Sequence, residues 1–234
     1  MSSVSFENWL FGKWGFIERS LAAWLKDVVY PEGAFCGACG KASDGATLCA
    51  SCRRKLREDG FVFSWERNDP EPGFPVWSLR PHDGIHRQLI LRLKYNAEAR
   101  IAPVLADLVL PLPEDVFFPP DTVVTWVTMP ESRRRDRGID HGRLLAEAFA
   151  NRLDLPFRQL LLRRDKREKR QVSLSGEDRI ANLRGAFRAK EKIAFPVLLI
   201  DDVRTTGTTL RRCAAALREG GATQISAITV TCRK

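Results

Sequence analysis

The sequence predicts an α/β fold with a mostly parallel sheet, preceded by a small cysteine-rich module. From residue 122 onwards, apolar runs typical of strands alternate with segments of helical periodicity, a pattern that indicates parallel strands covered by helices. The run from Val197 to Ile200 is continuously apolar, as expected for a strand that is buried on both faces. Four cysteines between residues 36 and 52 indicate the separate module.

Length and charge limit the classes of protein that fit the chain. With 234 residues, of which 44% are hydrophobic, it is long enough for one main domain and a small appendage. No apolar stretch approaches the roughly 20 residues of a membrane-spanning helix, and the N-terminus lacks the pattern of a secretory signal. We therefore expect a cytoplasmic protein without a transmembrane segment. The formal net charge of +9 favours nucleic acid, a phosphorylated metabolite or anionic lipid as partner.

Residues 1–30 are predicted to form an amphipathic helix, because apolar residues recur there at helical spacing between charged ones. The apolar positions are Leu10, Trp14, Ile17, Leu21, Trp24, Leu25 and Val28. We expect this face to dock on the protein's own core or on a partner subunit in a homo-oligomer. The alternative is peripheral contact with a membrane surface, which the tryptophans would suit.

Residues 31–60 are predicted to form a zinc-binding module. Cys36, Cys39, Cys49 and Cys52 make two C-x2-C pairs separated by nine residues, and this spacing lets four thiolates surround one zinc ion. A disulfide is the weaker interpretation in a reducing cytoplasm, and a redox-active dithiol needs only one such pair. Because all four thiolates would be ligands, the zinc is expected to be structural.

The remaining chain divides into a linker over residues 61–83 and a domain over residues 84–234. Prolines at positions 70, 72 and 75 among charged residues favour an irregular linker. Helices are predicted over 84–96, 100–112, 142–153, 176–187 and 208–221. Strands are predicted over 122–129, 157–164, 197–203 and 223–232.

Two adjacent carboxylates, Asp201 and Asp202, follow the apolar strand residues and precede a threonine-rich turn. Ligands of open α/β sheets bind at the carboxyl ends of strands, where these acids fall. The turn residues are Thr205, Thr206, Gly207, Thr208 and Thr209. A helix begins there, and its free N-terminal amides favour a phosphate. The pattern predicts a sugar-phosphate site; the alternative is that the threonines only cap the helix and the aspartates are solvated.

The stretch "VLLIDDVRTTGTT" resembles the phosphoribosyl diphosphate (PRPP) binding motif of type I phosphoribosyltransferases. From about Val28 to Val230 the chain resembles the ComF competence-protein family, which is related to GntX. Further support comes from the four-cysteine module, "LILRLKY", "VTMPESRRRDRGIDHGRLLAEAFA" and "RQVSLSGEDRIANLRGAF". The resemblance implies a sheet of the type I phosphoribosyltransferase kind with a small N-terminal zinc module.

The resemblance also implies roles for individual residues. Asp201 and Asp202 match the acidic pair that holds the ribose hydroxyls, and they are the candidate catalytic residues. The turn over 205–209 matches the 5'-phosphate loop, while Thr128 and Arg133 fall in the place of the diphosphate loop. Magnesium is expected on oxygens of the diphosphate and the ribose, without a dedicated protein site.

The segment from residue 163 to residue 175 corresponds to the mobile loop of transferring members and is strongly basic. Its candidate contacts to nucleic-acid phosphates are Arg164, Lys166, Arg167, Lys169 and Arg170. The alternative is a solvated loop without a nucleic-acid partner.

Three functions fit these features. The first is a ComF-like protein that binds PRPP or a related ribose phosphate and acts in DNA uptake or nucleotide metabolism, with single-stranded DNA and helicase-type DNA-uptake proteins as partners. The second is an active phosphoribosyltransferase on a base or amine, although Thr205 stands where purine-type transferases carry an aspartate. The third is a zinc-dependent single-stranded DNA-binding protein with a vestigial nucleotide site. The residues leave open whether transfer is catalysed.

The three histidines, His82, His86 and His141, are widely separated in the sequence. Their separation argues against a catalytic triad, so we expect them in the core or at the surface. Cys213 and Cys232 lie outside the C-x2-C pairs and are expected to be ordinary buried thiols.

Overall fold

The computed structural model describes residues 34–58, 73–96, 98–114, 116–163 and 186–233. The chain divides into two compact units, Met1–Arg53 and Arg54–Lys234. The helix predicted over residues 1–30 lies outside the described residues. The basic residues predicted to contact nucleic acid, and all but the last two residues of the helix predicted over 176–187, lie outside them as well.

The described part of the first unit holds the four cysteines. A bridge between Phe35 and Ala42 closes the first turn, and the buried Ser43 hydroxyl donates to the Ala46 carbonyl at 2.7 Å. The second cysteine pair leads into helix α1 (Ala50–Glu58). The tight turns bring residues that are distant in the sequence close enough for their thiols to meet.

The second unit is built on a four-stranded parallel sheet. Its strands are β1 (Val76–Pro81), β2 (Val123–Trp126), β5 (Val197–Arg204) and β6 (Ile225–Cys232). They lie in the order β1-β6-β5-β2, with each neighbouring pair parallel. Strands β3 (Leu161–Arg163) and β4 (Phe187–Ala189) form a separate antiparallel pair. The predicted α/β fold with a mostly parallel sheet is confirmed.

Helices flank the sheet of the second unit. They are α2 (Gly84–Tyr95), α3 (Ile101–Ala106), α4 (Glu131–Arg137), α5 (His141–Leu153) and α6 (Thr208–Glu219), and a 3-10 turn (Asp107–Val109) continues α3. Helix α5 packs on β2 and β5 and against α3, which also contacts α2, whereas α6 packs with β3, β4 and β6. The sheet is therefore covered by different helices on its two faces.

Strand β1 lies within the stretch for which the sequence predicts an irregular linker. Pro75 precedes the strand and Pro81 is its last residue, and these prolines hid the strand signal. Both are tolerated because β1 is an edge strand with one unpaired side. Trp77 and Leu79 are buried, so the strand contributes to the core.

The strand predicted over residues 157–164 is also placed differently from the expected parallel order. Only Leu161–Arg163 forms strand β3, and it pairs antiparallel with β4 outside the main sheet. A single parallel bridge between Phe157 and Val124 connects the preceding residues to β2. The apolar pattern predicted the strand but could not predict its partner, because pairing depends on tertiary packing.

Candidate functional site

The alternation of side chains along β5 places Asp201 and Asp202 on opposite faces of the sheet. Val197 and Leu199 belong to the buried cluster that includes residues of α6, whereas Leu198 and Ile200 are fully buried outside that cluster. Since neighbouring side chains of a strand point to opposite faces, Asp201 faces the α6 side. Asp202 faces the side covered by α2 and α5.

Asp202 is buried and is held by two cationic or hydrogen-donating side chains. Its Oδ2 lies 2.6 Å from Lys94 Nζ at the end of α2 and 3.1 Å from His141 Nε2 at the start of α5. Burial alone would raise the pKa of Asp202, but the hydrogen bond from His141 and the charge of Lys94 outweigh it and lower the pKa. Asp202 is therefore ionised at neutral pH.

Asp201 has a different environment. Its Oδ1 accepts a hydrogen bond from the Asp202 backbone N–H at 2.9 Å, and no ion pair to it forms among the described residues. Burial, followed by the charge of Asp202, raises the pKa of Asp201 to about 8. Near neutral pH the acidic pair thus carries one ionised and one largely protonated carboxyl group.

The turn between β5 and α6 has the shape of an anion-binding loop. Gly207 has φ +71°, a left-handed conformation that glycine adopts without a steric cost. The hydroxyls of Thr206 and Thr208 are 2.9 Å apart. The Arg211 guanidinium donates to the Thr206 carbonyl at 3.1 Å and to Thr208 Oγ1 at 3.3 Å. The N-terminus of α6, threonine hydroxyls and one cation therefore meet at this turn.

The end of β2 lies beside the acidic pair. Trp126 pairs with Ile200 in the sheet, and the Val127 N–H donates to the Ile200 carbonyl, so Thr128 follows at the level of the acids. Its side chain is buried, and its Oγ1 has no hydrogen-bond partner among the described residues. The structure thus brings Thr128 of the predicted diphosphate loop to the carboxyl edge of the sheet.

Arg133 is exposed in the first turns of α4, and its charge reaches the half-buried Arg163 at the end of β3. Burial lowers the pKa of Arg163, and the charges of Arg133 and Arg212 lower it further, while Asp201 acts in the opposite direction. These electrostatic interactions place the arginines in one positively charged neighbourhood on the Asp201 side of β5.

Sequence reasoning missed three residues of this site: Lys94, His141 and Arg211. His141 is the first residue of α5, whose preceding strand ends at the ligand edge, so its place could have been inferred from the topology. Arg211 lies three residues after Thr208, one helical turn away, and could have been inferred from that spacing. Lys94 is distant in the sequence, and only the path of α2 brings it to Asp202.

Among the histidines, His86 is fully buried on α2, as expected for a core residue. His141 contacts Asp202. His82 Nδ1 lies 2.8 Å from Thr231 Oγ1, which donates to the Asp202 carbonyl at 3.4 Å. Two of the three histidines therefore lie at the carboxyl edge, through contacts that their sequence spacing does not reveal.

The four N-terminal cysteines form a cluster with the geometry of a zinc site. The sulfur atoms of Cys36, Cys39, Cys49 and Cys52 all lie within 4.8 Å of one another, and the Cys39 and Cys49 sulfurs are 3.8 Å apart. Tetrahedral zinc with Zn–S bonds of about 2.3 Å requires sulfur atoms about 3.8 Å apart. The donor set and its spacing fit a structural zinc ion.

The thiols of this cluster do not share one pKa. Burial opposes ionisation of Cys36, but backbone hydrogen bonds from Cys39, Cys49 and Ala38 lower its pKa to about 6. Burial and the neighbouring thiols raise the pKa of Cys52 to about 12. The protein itself thus stabilises the Cys36 thiolate, whereas ionisation of Cys52 needs a compensating charge, such as a bound zinc ion.

The helices in the described part of the chain are short or polar compared with a membrane span. None of those helices is both long enough and apolar enough to cross a membrane.

Known proteins resemble this chain over most of its length. The phosphoribosyl transferase domain family matches residues 139–234. Competence protein F of Haemophilus influenzae is 33% identical over 207 residues, which cover 83% of this chain and 88% of that protein. DNA utilization protein YhgH of Salmonella typhimurium is 26% identical over 200 residues, covering 81% and 86%. Competence protein ComFC of Bacillus subtilis is 24% identical over 202 residues, covering 85% and 78%.

These matches agree with the site geometry and with the order of the sequence motifs, from the cysteine cluster to the phosphate-binding turn. They confirm the resemblance that the sequence predicts. The chain belongs to the ComF competence-protein family and contains a phosphoribosyltransferase domain.

Proposed function

We propose that this protein binds PRPP or a related 5'-phosphorylated ribose at the carboxyl end of β5. The observation that carries the proposal is the direct succession of Asp201 and Asp202 and the anion-binding turn that begins α6. The amides and hydroxyls of the turn suit a phosphate monoester, and the carboxyl groups suit ribose hydroxyls. The two halves of the site match the two ends of a ribose 5-phosphate.

The different charges of the two acids suit a ribose diol. The ionised Asp202 accepts hydrogen bonds, whereas a protonated Asp201 both donates and accepts them. The turn over 205–209, with Arg211, holds the 5'-phosphate. Thr128 and Arg133 are the groups that would meet a diphosphate on the side of β2. Magnesium would be carried by diphosphate and ribose oxygens, because Asp202 is already paired with Lys94.

The biological role that we propose is the handling of DNA during uptake or utilisation, in the cytoplasm. It is supported by relatives that are named as competence and DNA utilization proteins and by the net charge of +9. Single-stranded DNA and helicase-type proteins are the partners that this role implies. The basic segment with Arg164, Lys166, Arg167, Lys169 and Arg170 stays a predicted DNA contact.

A second candidate function is transfer of the phosphoribosyl group to a base or amine. It is favoured by the buried Thr128, whose Oγ1 has no partner among the described residues and lies at the edge where a diphosphate would leave. In such a reaction the bond from C1 to the diphosphate breaks and the acceptor nitrogen bonds to C1. The protein would contribute positioning and charge stabilisation. Release of diphosphate from PRPP in a screen of acceptors tests it.

The cysteine cluster is proposed to hold one structural zinc ion. Metal analysis of the purified protein should find about one zinc per chain. Cys36→Ser should lower that content, whereas Cys213→Ser should not, because Cys213 lies on α6. Full zinc content in the Cys36→Ser variant would contradict the assignment.

Calorimetric titration tests the ribose-phosphate proposal. PRPP with magnesium, and ribose 5-phosphate alone, are titrated into the wild type and into the Asp202→Asn and Asp107→Asn variants. We expect Asp202→Asn to weaken both ligands about tenfold or more, because a charged hydrogen bond is lost. The exposed Asp107, which pairs with Arg152, is the control and should have no effect.

Two outcomes would contradict this proposal. Equal affinities of the wild type and a folded Asp202→Asn variant would mean that the acid does not contact the ligand. Failure of PRPP and ribose 5-phosphate to bind the wild type, while single-stranded DNA binds, would favour the DNA-binding alternative with a vestigial nucleotide site.

A further inference from the structure

Helix α2 crosses the carboxyl edge of the sheet. Its first turn follows His82, which is hydrogen-bonded to Thr231 at the end of β6, and its last turn holds Lys94, which contacts Asp202 at the end of β5. A 12-residue helix is about 18 Å long. Because both ends of α2 meet this edge, the helix borders the ligand site along its length.

A line of basic residues continues along this edge from the phosphate-binding turn. The Arg233 N–H donates to the carbonyl of Arg204, the residue before the turn, at 2.9 Å. The Arg233 guanidinium lies 3.4 Å from His82 Nε2, and Arg87 lies one helical turn further along α2. Arg233 and Arg87 are both exposed.

Hydrogen bonds hold the Arg233 guanidinium in place. Because an arginine only donates, His82 Nε2 accepts from Arg233, and His82 Nδ1 donates to Thr231 Oγ1 at 2.8 Å. Burial, and then the charges of Arg233, Lys94 and Arg87, lower the pKa of His82, which keeps the ring neutral in this arrangement. The chain of bonds fixes one exposed cation beside the ligand site.

An exposed aromatic ring lies at the other end of the same helix. Tyr95, the last residue of α2, is 66% exposed and directly follows Lys94. Of the other described residues, Phe117 is the exposed large apolar side chain of the second unit, and it lines a cavity with Pro75 and Val197, at the starts of the strands. Tyr95 is therefore an exposed aromatic ring at the end of α2 that also carries Lys94.

We propose that this edge, formed by Arg87, Tyr95 and Arg233 around the acidic pair and the phosphate-binding turn, is a binding surface for single-stranded nucleic acid. Cations that follow a backbone, combined with an aromatic ring on which a base stacks, are the features by which proteins bind single strands. A single strand is favoured over a duplex because a base must leave its stack to lie on the exposed Tyr95 ring. Three acids lie nearby: Asp202, which is paired with Lys94, Asp201, which accepts a backbone hydrogen bond, and the exposed Asp83 before α2.

This surface extends the proposed role in DNA handling and rests on it, but it is separate from the ribose-phosphate site. Neither Arg87 nor Arg233 belongs to the turn or to the acidic pair. Variants at these positions should therefore keep their affinity for ribose 5-phosphate. This expectation separates failure of the surface from failure of the ribose-phosphate proposal.

The test measures binding of a fluorescein-labelled oligo-dT of about 15 nucleotides by anisotropy, over a series of salt concentrations. Arg87→Gln with Arg233→Gln should weaken binding about tenfold at low salt and reduce the salt slope by about 1.4, or about 0.7 for each lost phosphate contact. The matched control is Arg152→Gln with Arg218→Gln. These two arginines lie in the last turns of α5 and α6, at the ends of those helices that are remote from the ligand edge.

Tyr95 tests the stacking part of the surface. Tyr95→Ala should weaken oligo-dT binding about tenfold without changing the salt slope, because stacking involves no counterion release. Tyr95→Phe should bind like the wild type, since the ring is kept. Phe117→Ala is the control at the opposite edge and should have no effect.

Three outcomes would contradict the proposal that this surface binds single-stranded nucleic acid. One is a wild type that does not bind oligo-dT. Another is a salt slope that is the same in the wild type and the folded Arg87→Gln, Arg233→Gln variant. The third is an equal loss of binding in the Arg152→Gln, Arg218→Gln control, which would show that only the net charge matters. Circular dichroism of each variant confirms that it is folded.

Discussion

At the end of β5, two adjacent aspartates lie on opposite faces of the sheet and differ in their contacts and their ionisation. On the face covered by α2 and α5, Asp202 is buried and held between Lys94 and His141. On the face of α6 and β3, Asp201 accepts a backbone hydrogen bond and forms no ion pair with the described residues. The same residue type is therefore an anchored anion on one face and a titratable acid on the other.

This difference shows how a short sequence motif acquires two functions from its surroundings. The anchored Asp202 is fixed before a ligand arrives, so little side-chain freedom is lost on binding. Asp201 can take up or release its proton near neutral pH when a ligand binds, because its pKa is raised to about 8. Together they offer one firm acceptor and one group that donates or accepts.

The largest expected effect is on stability. Asp202→Asn should lower the free energy of unfolding by about 3 kcal/mol, because it leaves Lys94 without its anion in a largely buried pair. The Lys94 side chain is only 19% exposed, so solvent screens the pair little. Asp201→Asn should instead leave the free energy of unfolding unchanged or raise it near neutral pH, because the wild type must take up a proton on Asp201 to fold and the neutral amide need not.

Urea unfolding of both variants near neutral pH measures this contrast. Matched losses of unfolding free energy in Asp201→Asn and Asp202→Asn would show that the two faces are equivalent. A stabilised Asp202→Asn variant would show that Lys94 finds another partner.

Asp201 and Asp202 should also differ in how their contributions to the free energy of unfolding depend on pH. An unfolded aspartate releases its proton near pH 4 and folded Asp201 near pH 8, so between these values the folded state binds more protons. The contribution of Asp201 is therefore present at low pH and lost as the pH rises through about 8. Asp202 has a lowered pKa, so its contribution is present above its unfolded pKa and lost as the pH falls.

Free energies of unfolding measured at about pH 5 and about pH 7.5 test the predicted direction of these pH dependences. One titrating group can change the free energy of unfolding by at most about 1.4 kcal/mol per pH unit. Relative to Asp201→Asn, the wild type should lose stability as the pH rises over this range. A difference between the two proteins that does not vary with pH would contradict the raised pKa of Asp201.

The third prediction concerns the phosphate-binding turn. Arg211→Gln should weaken ribose 5-phosphate about tenfold, because one charge-assisted contact to the phosphate is lost. It should leave the affinity for PRPP analogues that lack the 5'-phosphate unchanged. The control is Arg218→Gln in the last turn of the same helix, because ten helical residues, or about 15 Å, separate it from Thr208. Calorimetric titrations in which both variants lose equal affinity would remove Arg211 from the site.

Local sequence patterns predicted the parts of this site that are contiguous in the chain. The apolar run predicted strand β5, the acidic pair predicted the ligand edge, and the threonine turn predicted the start of α6. Each of these features depends only on residues that are close together in the sequence. The structure places Asp201 and Asp202 in β5 and Gly207 directly before α6, and their roles in binding stay predictions. The cysteine spacing likewise predicted the cluster.

The other parts depend on packing between distant segments. Lys94 reaches Asp202 only because α2 crosses the sheet edge. Strand β1 was not predicted, because its prolines argue against a strand unless the strand is known to lie at the edge of a sheet. The opposite roles of the two aspartates follow from the period of two along a strand. That period was readable from the sequence, but the neighbours on each face were not.

The smallest expected effect concerns Gly207. A Cβ atom there would meet only Arg211 Nη1 at 3.6 Å, an ordinary contact, so the cost of Gly207→Ala lies in the backbone at φ +71°. A left-handed alanine costs about 1 kcal/mol, equivalent to a roughly fivefold change in affinity if the turn relaxes. Gly207→Asn should be milder, because asparagine tolerates this conformation better.

Ribose 5-phosphate titrations and urea unfolding of the two Gly207 variants separate the turn from the acidic pair. We expect weaker phosphate binding in Gly207→Ala, with an affinity for the unphosphorylated analogue that matches the wild type. The Lys94–Asp202 pair on the other face should stay intact, so the stability loss should remain well below that of Asp202→Asn. A loss of unfolding free energy as large as in Asp202→Asn would show that the turn and the α2 face form one cooperative unit, and the distinction between the two faces would fail.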